Sequence, residues 1–180
     1  MITARQEPIL DTITYLENGE TFTVSFAELL NYHGTTFPGG VAHGLKVMQR
    51  AFPLLDEGRP IERREVRIDT AFPGPGGRDA IEFVTRALTD GRYHVDRSLG
   101  WEGIEESPKG KYYFRFSYRG TVVEVTIRPG HVRGEFIELA RKEGRSAEEE
   151  TRLAALKREM RDRLVPLAPE NVYDAKVSRA

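Results

Sequence analysis

Two short segments of the chain carry the side chains best suited to chemistry. The first spans residues 32–40 and places His33 in a loop rich in glycine and proline, just before a predicted helix. Imidazole titrates near neutral pH, so His33 could act as a general base, a general acid or a metal ligand. The loop amides, with Thr35 and Thr36, could hold an anion at the positive end of that helix. The alternative is a histidine that only hydrogen-bonds a tight turn.

The second segment spans residues 69–79 and joins a predicted strand to a predicted helix through glycines and prolines. This arrangement favours phosphate or carboxylate binding by the amides of Gly76 and Gly77, with Arg78 as the counter-charge. The segment is neither a Walker loop nor a dinucleotide fingerprint, because no Lys-Ser/Thr pair follows and the glycine spacing differs. Alternatively, the prolines only stiffen an exposed loop.

Three further residues could complete a site formed by these two segments. His43 lies one turn into the helix that follows the first segment and could share its pocket. Asp69, at the end of the strand, or Asp79, at the start of the next helix, could contact a ligand or orient an imidazole. The alternatives are a partly exposed surface or interface histidine, a turn residue and an N-terminal helix charge, respectively.

Composition narrows the classes of function. Lysine plus arginine number 27 and aspartate plus glutamate 28, so the formal net charge is −1. We therefore expect neither nucleic acid nor an anionic membrane as partner. The alternating aromatics of residues 112–118 could imitate an RNA-stacking sheet, but this charge favours a packing role for them. The chain contains no cysteine, which excludes disulfides, thiolate catalysis and Cys-ligated zinc or iron–sulfur sites.

Residues 1–8 show no apolar run of the kind that forms a signal peptide. No stretch approaches the roughly 20 apolar residues of a membrane span. We therefore expect a cytoplasmic protein without a membrane partner.

Hydrophobic periodicity predicts a single α+β domain over residues 1–180, with a core at about 24–130 and C-terminal helices and a tail at 131–180. The predicted helices span residues 26–31, 41–55, 79–88 and 130–142, and the last runs from a capping box at Ser146 to Leu164. The predicted strands span residues 64–70, 93–95, 111–118 and 121–128, the last two forming a hairpin. We expect a mixed sheet of αβαβββ type with helices mainly on one face and a C-terminal helical extension. Residues 167–180 are predicted to be a polar tail that docks on the body or on a partner.

The order and spacing of several short motifs resemble the FmdE-like family, which takes its name from a component of formylmethanofuran dehydrogenase. The motifs are Tyr32-His33-Gly34, Pro38-Gly39, Ala42 with Gly44, Asp79-Ala80-Ile81 and Val84-Thr85, and the closing helix that ends in Leu164 and Pro166 also fits. The resemblance covers roughly residues 24–175. It implies a mixed sheet, a homodimer, and a pocket between the His-containing loop and the strand–helix loop that in the family commonly carries zinc.

The chain departs from this family where the metal ligands usually lie. Thr35 and Phe37 stand at positions where the family usually has His and Cys, and Phe72 stands where a Cys usually precedes the Asp-Ala-Ile helix. The Cys-rich C-terminal module of some members is absent. Of the family's ligands only His33 remains, and one imidazole does not make a zinc site, which usually takes three or four protein ligands. For zinc or another divalent metal, His43 and Asp69 are the candidates to join His33.

Three hypotheses for function follow. The first is an FmdE-like binding or accessory domain with a degenerate metal pocket, linked to C1 or oxidoreductase metabolism, that takes a small polar or anionic ligand or a pterin- or furan-like C1 carrier. The second is a hydrolase- or lyase-type enzyme with His33 as general base. The third is a structural homodimer without a small-molecule site. The sequence shows no redox cofactor motif, and a fold shared with a dehydrogenase component does not by itself make a dehydrogenase.

Overall fold

The computed structural model describes residues 10–179, so residues 1–9, where the sequence predicts no signal peptide, lie outside the description. Within this range the chain forms an α+β fold, as predicted. The strands are β1 (Thr12–Glu17), β2 (Glu20–Ser25), β3 (Arg67–Thr70), β4 (Tyr93–Val95), β5 (Tyr113–Tyr118), β6 (Thr121–Ile127) and β7 (Tyr173–Arg179). The helices are α1 (Phe26–His33), α2 (Pro38–Leu55), α3 (Pro75–Thr85), α4 (Gly134–Arg141) and α5 (Ala147–Leu164), with a short 3-10 helix at Pro169–Asn171.

The main sheet is mixed and has the strand order β4-β3-β5-β6-β7. β3 and β4 are parallel and joined through α3, whereas all other neighbours are antiparallel. The predicted alternation along β5 is confirmed, because Phe114 and Phe116 are fully buried while Arg115 and Ser117 on the opposite face are partly exposed. Helix α2 packs on the same face as these phenylalanines, which makes it the central element of the core.

A second, two-stranded sheet formed by β1 and β2 was not predicted from the sequence. Ile13 and Tyr15 are buried on one side of β1, and the ring of Tyr15 stacks on that of Phe22 in β2. Asn18 and Gly19 connect the strands with positive φ angles of 52° and 81°, which is the geometry of a two-residue hairpin turn. The sequence does contain the Asn18-Gly19 turn signal and alternating apolar and polar residues on both sides of it. The hairpin was missed because the apolar residues of these two strands are few.

Helices α2 and α3 both begin earlier than predicted, and for the same reason. Each starts with a proline at its first position, Pro38 and Pro75, followed by two glycines. Proline is suited to this position because its fixed φ is helical and its missing N–H would have no partner there. The glycines that the sequence assigned to loops therefore lie in the first turns of two helices. Helix α3 also ends earlier than predicted, since Arg86 adopts the left-handed conformation at φ 56°.

The C-terminal segment is a strand rather than the predicted polar tail. β7 pairs with β6 along its whole length and places Tyr173 in the core, where its side chain is fully buried. Val177 and its neighbours up to Arg179 remain exposed at the sheet edge. The five-stranded sheet thus extends beyond the segment 24–130 that the sequence assigned to the core.

The closing helix α5 begins as predicted. The Ser146 side chain accepts a hydrogen bond from the amide of Glu149, whose carboxylate accepts one from the Ser146 amide. Among residues 10–179, none of the helices combines the length and the apolar character that crossing a membrane requires.

Candidate functional site

A cavity of about 360 Å³ lies where the first turns of α2 and α3 meet the C-terminal helices α4 and α5. Helix starts, aromatic rings and basic side chains form most of its wall: Phe37, Gly39, Gly40, His43, Phe72, Gly74, Gly76, Lys109, Tyr112, Phe136, Arg145 and Lys157. Among the residues that the structure describes, none of those lining the cavity is acidic. The cavity is therefore apolar in its walls and positive in its charge.

Glycines allow the starts of α2 and α3 to approach each other closely. A Cβ on Gly76 would lie 2.6 Å from the carbonyl oxygen of Phe37, and a Cβ on Gly44 would lie 2.6 Å from the Cβ of Ala80. Real Cβ atoms do not approach other atoms this closely, so only glycine fits at these two positions. The sequence thereby brings two helix N-termini, more than thirty residues apart in the chain, to one wall of the cavity.

Both of these helix starts carry free backbone amides. The first amides of an α-helix have no carbonyl partner inside the helix, and within residues 10–179 no side chain caps α2 or α3. Of the amides concerned, those of Gly39, Gly40 and Gly76 belong to residues that line the cavity. Helix N-termini with free amides attract anions, because N–H groups and the helix dipole both present positive charge.

Lys157 is a basic side chain of the cavity wall that packs on an aromatic ring. It is half-buried, and its Nζ lies 4.1 Å from the centroid of the Phe37 ring. Burial lowers the pKa of Lys157, and the positive charges of Arg145 and Lys109 lower it further, although Glu150 acts in the opposite direction. Glu150 is itself bound to the guanidinium of Arg145 at 2.7 Å.

Arg145 has a mainly structural role at the cavity wall. Its Nη1 donates hydrogen bonds to the carbonyl oxygens of Leu139 and Lys142 at 3.0 and 2.6 Å. These bonds add to the capping of the end of α4, where the Lys142 amide also donates to the carbonyl oxygen of Leu139 at 3.3 Å. The ammonium groups of Lys109 and Lys157 and the Nη2 of Arg145 make no hydrogen bond to the described residues and are the basic donors of the wall left for a ligand.

His43 forms part of the cavity wall and is fully buried, which corrects the alternative of a partly exposed surface histidine. Its Nδ1 lies 2.8 Å from the hydroxyl of Tyr173, and its Nε2 is buried without a hydrogen-bond partner within the described range. Burial lowers the pKa of His43 to about 3, so the ring is neutral. Burial also raises the pKa of Tyr173, so this hydroxyl keeps its proton and can donate it to Nδ1. The ring proton then lies on Nε2 and makes it a donor.

Two stacked rings form part of the apolar wall. The ring centroids of Phe72 and Tyr112 are 4.6 Å apart with an interplanar angle of 25°. Phe72 can take this position because residue 74 is glycine, since a Cβ there would lie 2.3 Å from the Phe72 ring. Such a wall suits the flat or apolar body of a small molecule.

His33 lies close to this site but does not line the cavity. Its Nδ1 lies 2.8 Å from Oδ2 of Asp79, and Arg78 holds the other carboxylate oxygen of Asp79 at 2.8 Å. The Nε2 of His33 is buried and has no partner in the part of the chain described. Phe37, whose ring centroid lies 6.0 Å from that of His33, does line the cavity. The imidazole of His33 therefore lies beside the start of α3, and its bond to Asp79 connects α1 to α3.

The remaining predicted site residues lie in different surroundings. Thr35 and Thr36 are exposed in the loop before α2 and do not line the cavity, and neither does Gly77. Asp69 is buried and lies within 2.9 and 3.2 Å of the guanidinium groups of Arg67 and Arg115. These arginines hold the pKa of Asp69 below its usual value, against the opposing effect of burial.

The three residues proposed as metal ligands do not come together. His33 is bound to Asp79, His43 to Tyr173, and Asp69 to two arginines. In residues 10–179 no group of three or more His, Asp or Glu side chains could hold a metal ion. Phe37 and Phe72, which stand at cysteine positions if the sequence resemblance to the FmdE family holds, both line the cavity with rings. The donor set present does not fit zinc.

Sequence reasoning did not single out Lys157 as a site residue. A signal was available, since Lys157 lies four residues after Leu153 and three before Met160, two residues of the buried stripe of α5. His43 was found, but its burial was not, because the packing of β7 against α2 could not be predicted from local pattern.

Compared with models of known protein families and with curated proteins, the chain matches none.

Proposed function

We propose that this chain is an FmdE-like binding domain with an altered metal pocket, and that the cavity at the starts of α2 and α3 takes a small organic anion. The single observation that carries the proposal is the meeting of two uncapped helix N-termini in a cavity that has basic but no acidic side chains among the described residues. The link to C1 or oxidoreductase metabolism rests on the sequence resemblance alone.

The polar groups of the cavity favour an anion over a cation or a neutral ligand. The amides of Gly39, Gly40 and Gly76 are donors, as are the ammonium groups of Lys109 and Lys157. His43 lines the wall as a neutral ring, but its Nε2 is buried. A carboxylate is acceptor-only when ionised, so it satisfies donors of this kind without leaving an unpaired group.

The walls favour an anion with an apolar body over an inorganic ion. Phe72 and Tyr112 are stacked, and Phe37 and Phe136 add further aromatic surface. The volume of about 360 Å³ lies within the range of small-molecule sites in proteins. Inorganic phosphate would leave most of this apolar surface in contact with water.

Benzoate is the simplest probe that combines both features, and its affinity can be measured by calorimetric titration of the full chain. We expect benzoate to bind more tightly than acetate, which lacks the ring, and benzylamine, which carries the opposite charge, not to bind. Replacement of Ala140, which lines the cavity from α4, by phenylalanine should fill the space. This change should weaken benzoate binding at least tenfold, a loss of about 1.4 kcal/mol.

Ala147→Phe is the matched control, because Ala147 is exposed at the start of α5 and does not line the cavity. It should leave benzoate affinity unchanged. No binding of benzoate by the wild-type chain, or equal binding by the Ala140→Phe variant, would overturn the proposal.

The enzyme hypothesis with His33 as general base is less well supported. The Asp79 carboxylate does orient the imidazole at 2.8 Å, as in many catalytic pairs. However, His33 Nε2 is buried and the ring does not line the cavity, so a bound ligand would not reach the nitrogen that takes a proton. A binding function is therefore favoured over proton abstraction by His33.

The homodimer remains a separate proposal. Within the described part of the chain, β7 is paired on one edge only and exposes Val177 there. Pairing of two such edges in a symmetric dimer would satisfy their free amides and carbonyls. The mass of the purified chain in sedimentation tests this proposal.

A further inference from the structure

We infer that the cavity prefers dianions whose two negative groups lie at the two ends of a short apolar body, as in an aromatic dicarboxylate. Lys157 binds one of these groups and Arg145 binds the other. This inference rests on the proposed function, because it assigns a ligand class to the same cavity.

The ammonium group of Lys157 lies in the cavity wall without a counter-ion. Its Nζ lies 4.1 Å from the centroid of the Phe37 ring, a contact that stabilises the charged form of the amine. Within residues 10–179 this ammonium forms neither a hydrogen bond nor an ion pair with a carboxylate, and the carboxylate of Glu150 is bound to Arg145 at 2.7 Å. The N–H donors of Lys157 are therefore available to an anion.

The guanidinium of Arg145 is held in place by its other contacts. Its Nε donates to Oε1 of Glu150 at 2.7 Å, and its Nη1 donates to the carbonyl oxygens of Leu139 and Lys142. The Nη2 makes no hydrogen bond to the described residues and is the donor that remains for a ligand. Because these contacts already fix the side chain, binding an anion at Nη2 costs little further conformational entropy.

An apolar stretch of α5 separates the two basic groups. Arg145 lies two residues before the first residue of α5, Ala147, and the helical rise from Ala147 to Lys157 is about 15 Å. Leu153 lies between them on α5 and lines the same cavity. The two charges still interact, since Arg145 lowers the pKa of Lys157. A small ligand that contacts both groups therefore needs an apolar middle and two separated anionic ends.

The charges of the wall favour two negative groups over one. Lys109, Arg145 and Lys157 line the cavity, and none of its described lining residues is acidic. Glu150 compensates the charge of Arg145 alone, so the positive charges of two side chains remain uncompensated. Lys109 is exposed, so water screens its charge more than that of half-buried Lys157.

Calorimetric titration of the full chain with terephthalate and with its monomethyl ester tests the inference. At neutral pH the two probes share the same ring and differ by one negative charge. We expect terephthalate to bind about tenfold more tightly than the ester, a difference of about 1.4 kcal/mol. Phthalate, whose two carboxylates are adjacent, should bind more weakly than terephthalate because it cannot reach both basic groups.

A variant assigns the preference to its residue. Lys157→Met keeps an unbranched side chain that can pack on Phe37 but removes the charge, so terephthalate should bind it no more tightly than the ester does. Lys176→Met, at an exposed site on β7, is the matched control and should keep the wild-type preference.

Three results would overturn the inference: equal affinities of the wild type for terephthalate and the ester, equal affinities for terephthalate and phthalate, or an unchanged preference in Lys157→Met. Any of these together with benzoate binding would refute the dianion preference alone. Absence of binding by both benzoate and terephthalate would also refute the proposed function.

Discussion

His43 and Lys46 lie one turn apart on α2 and are both fully buried, although each is polar. His43 is tolerated because burial keeps its ring neutral and Tyr173 supplies a hydrogen bond. Lys46 is tolerated because its Nζ donates to the carbonyl oxygen of Leu10 and to Oε1 of Gln49, both at 2.9 Å. Single buried polar residues thus fix α2 to segments on either side of it, at the cost of removing them from water.

Lys46 should give the protein a characteristic pH dependence of stability. Burial lowers the pKa of Lys46 from 10.5 to about 8. Below pH 8 the residue is charged in both states, and its burial lowers the free energy of unfolding. Between pH 8 and 10.5 the folded state loses this proton while the unfolded state keeps it, so the free energy of unfolding should rise with pH, by about 1–3 kcal/mol.

Urea unfolding of the wild type and of Lys46→Met across this pH range measures the effect. The methionine variant should lack the rise, while Lys176→Met, at an exposed site on β7, should retain it. Equal pH profiles of the wild type and Lys46→Met would contradict the assignment.

At the scale of elements, the crossing of α2 and α3 determines whether the cavity exists. The two helices touch through glycines and alanine, and the close approach places both N-termini on one wall. A larger side chain at the crossing would separate the helix starts. The geometry of the site therefore depends on residues that do not contact a ligand.

Gly44→Ala should destabilise the protein, because the new Cβ would lie 2.6 Å from the Cβ of Ala80 and 3.1 Å from the Cα of Gly77. Overpacking of this kind costs about 1–3 kcal/mol in the free energy of unfolding. In an Ala80→Gly background the loss of stability should be smaller, because the closest of these contacts is removed. Denaturant unfolding of the four chains of this double-mutant cycle measures the coupling.

Gly134→Ala serves as the control for this cycle, since Gly134 begins α4 and has no atom of the described residues within 4 Å of a Cβ placed there. The Gly134→Ala substitution should change the free energy of unfolding little. Purely additive effects of the Gly44 and Ala80 substitutions would show that the two helices do not meet as described.

At the scale of the whole molecule, β7 joins the end of the chain to its core. Tyr173 packs among the rings of α2 and β5, with its centroid 5.9 Å from that of His43 and 6.2 Å from that of Phe114. The C-terminal strand thus supports both the sheet and the wall of the cavity that His43 forms.

Truncation at two points should show how much stability the buried part of β7 contributes and how much the exposed part contributes. A chain that ends after Val172 loses Tyr173 and should be less stable by at least about 3 kcal/mol, as expected for deletion of a buried aromatic side chain. A chain that ends after Lys176 loses Val177, Ser178 and Arg179, which are all exposed, and should unfold nearly as the full chain does. Thermal unfolding of both chains checks this, and equal loss in the two would argue against a core role for Tyr173.

The sequence by itself determined the elements whose patterns are local. The alternation of residues 112–118 predicted β5, the capping box at Ser146 predicted the start of α5, and the absence of cysteine excluded thiolate chemistry. Only the tertiary structure decided which of the chemically able residues share a cavity. His33 pairs with Asp79, whereas Lys157 and His43 line one cavity with Gly39, Gly40 and Gly76. These neighbourhoods depend on how helices cross and strands pair. No local periodicity encodes those distances.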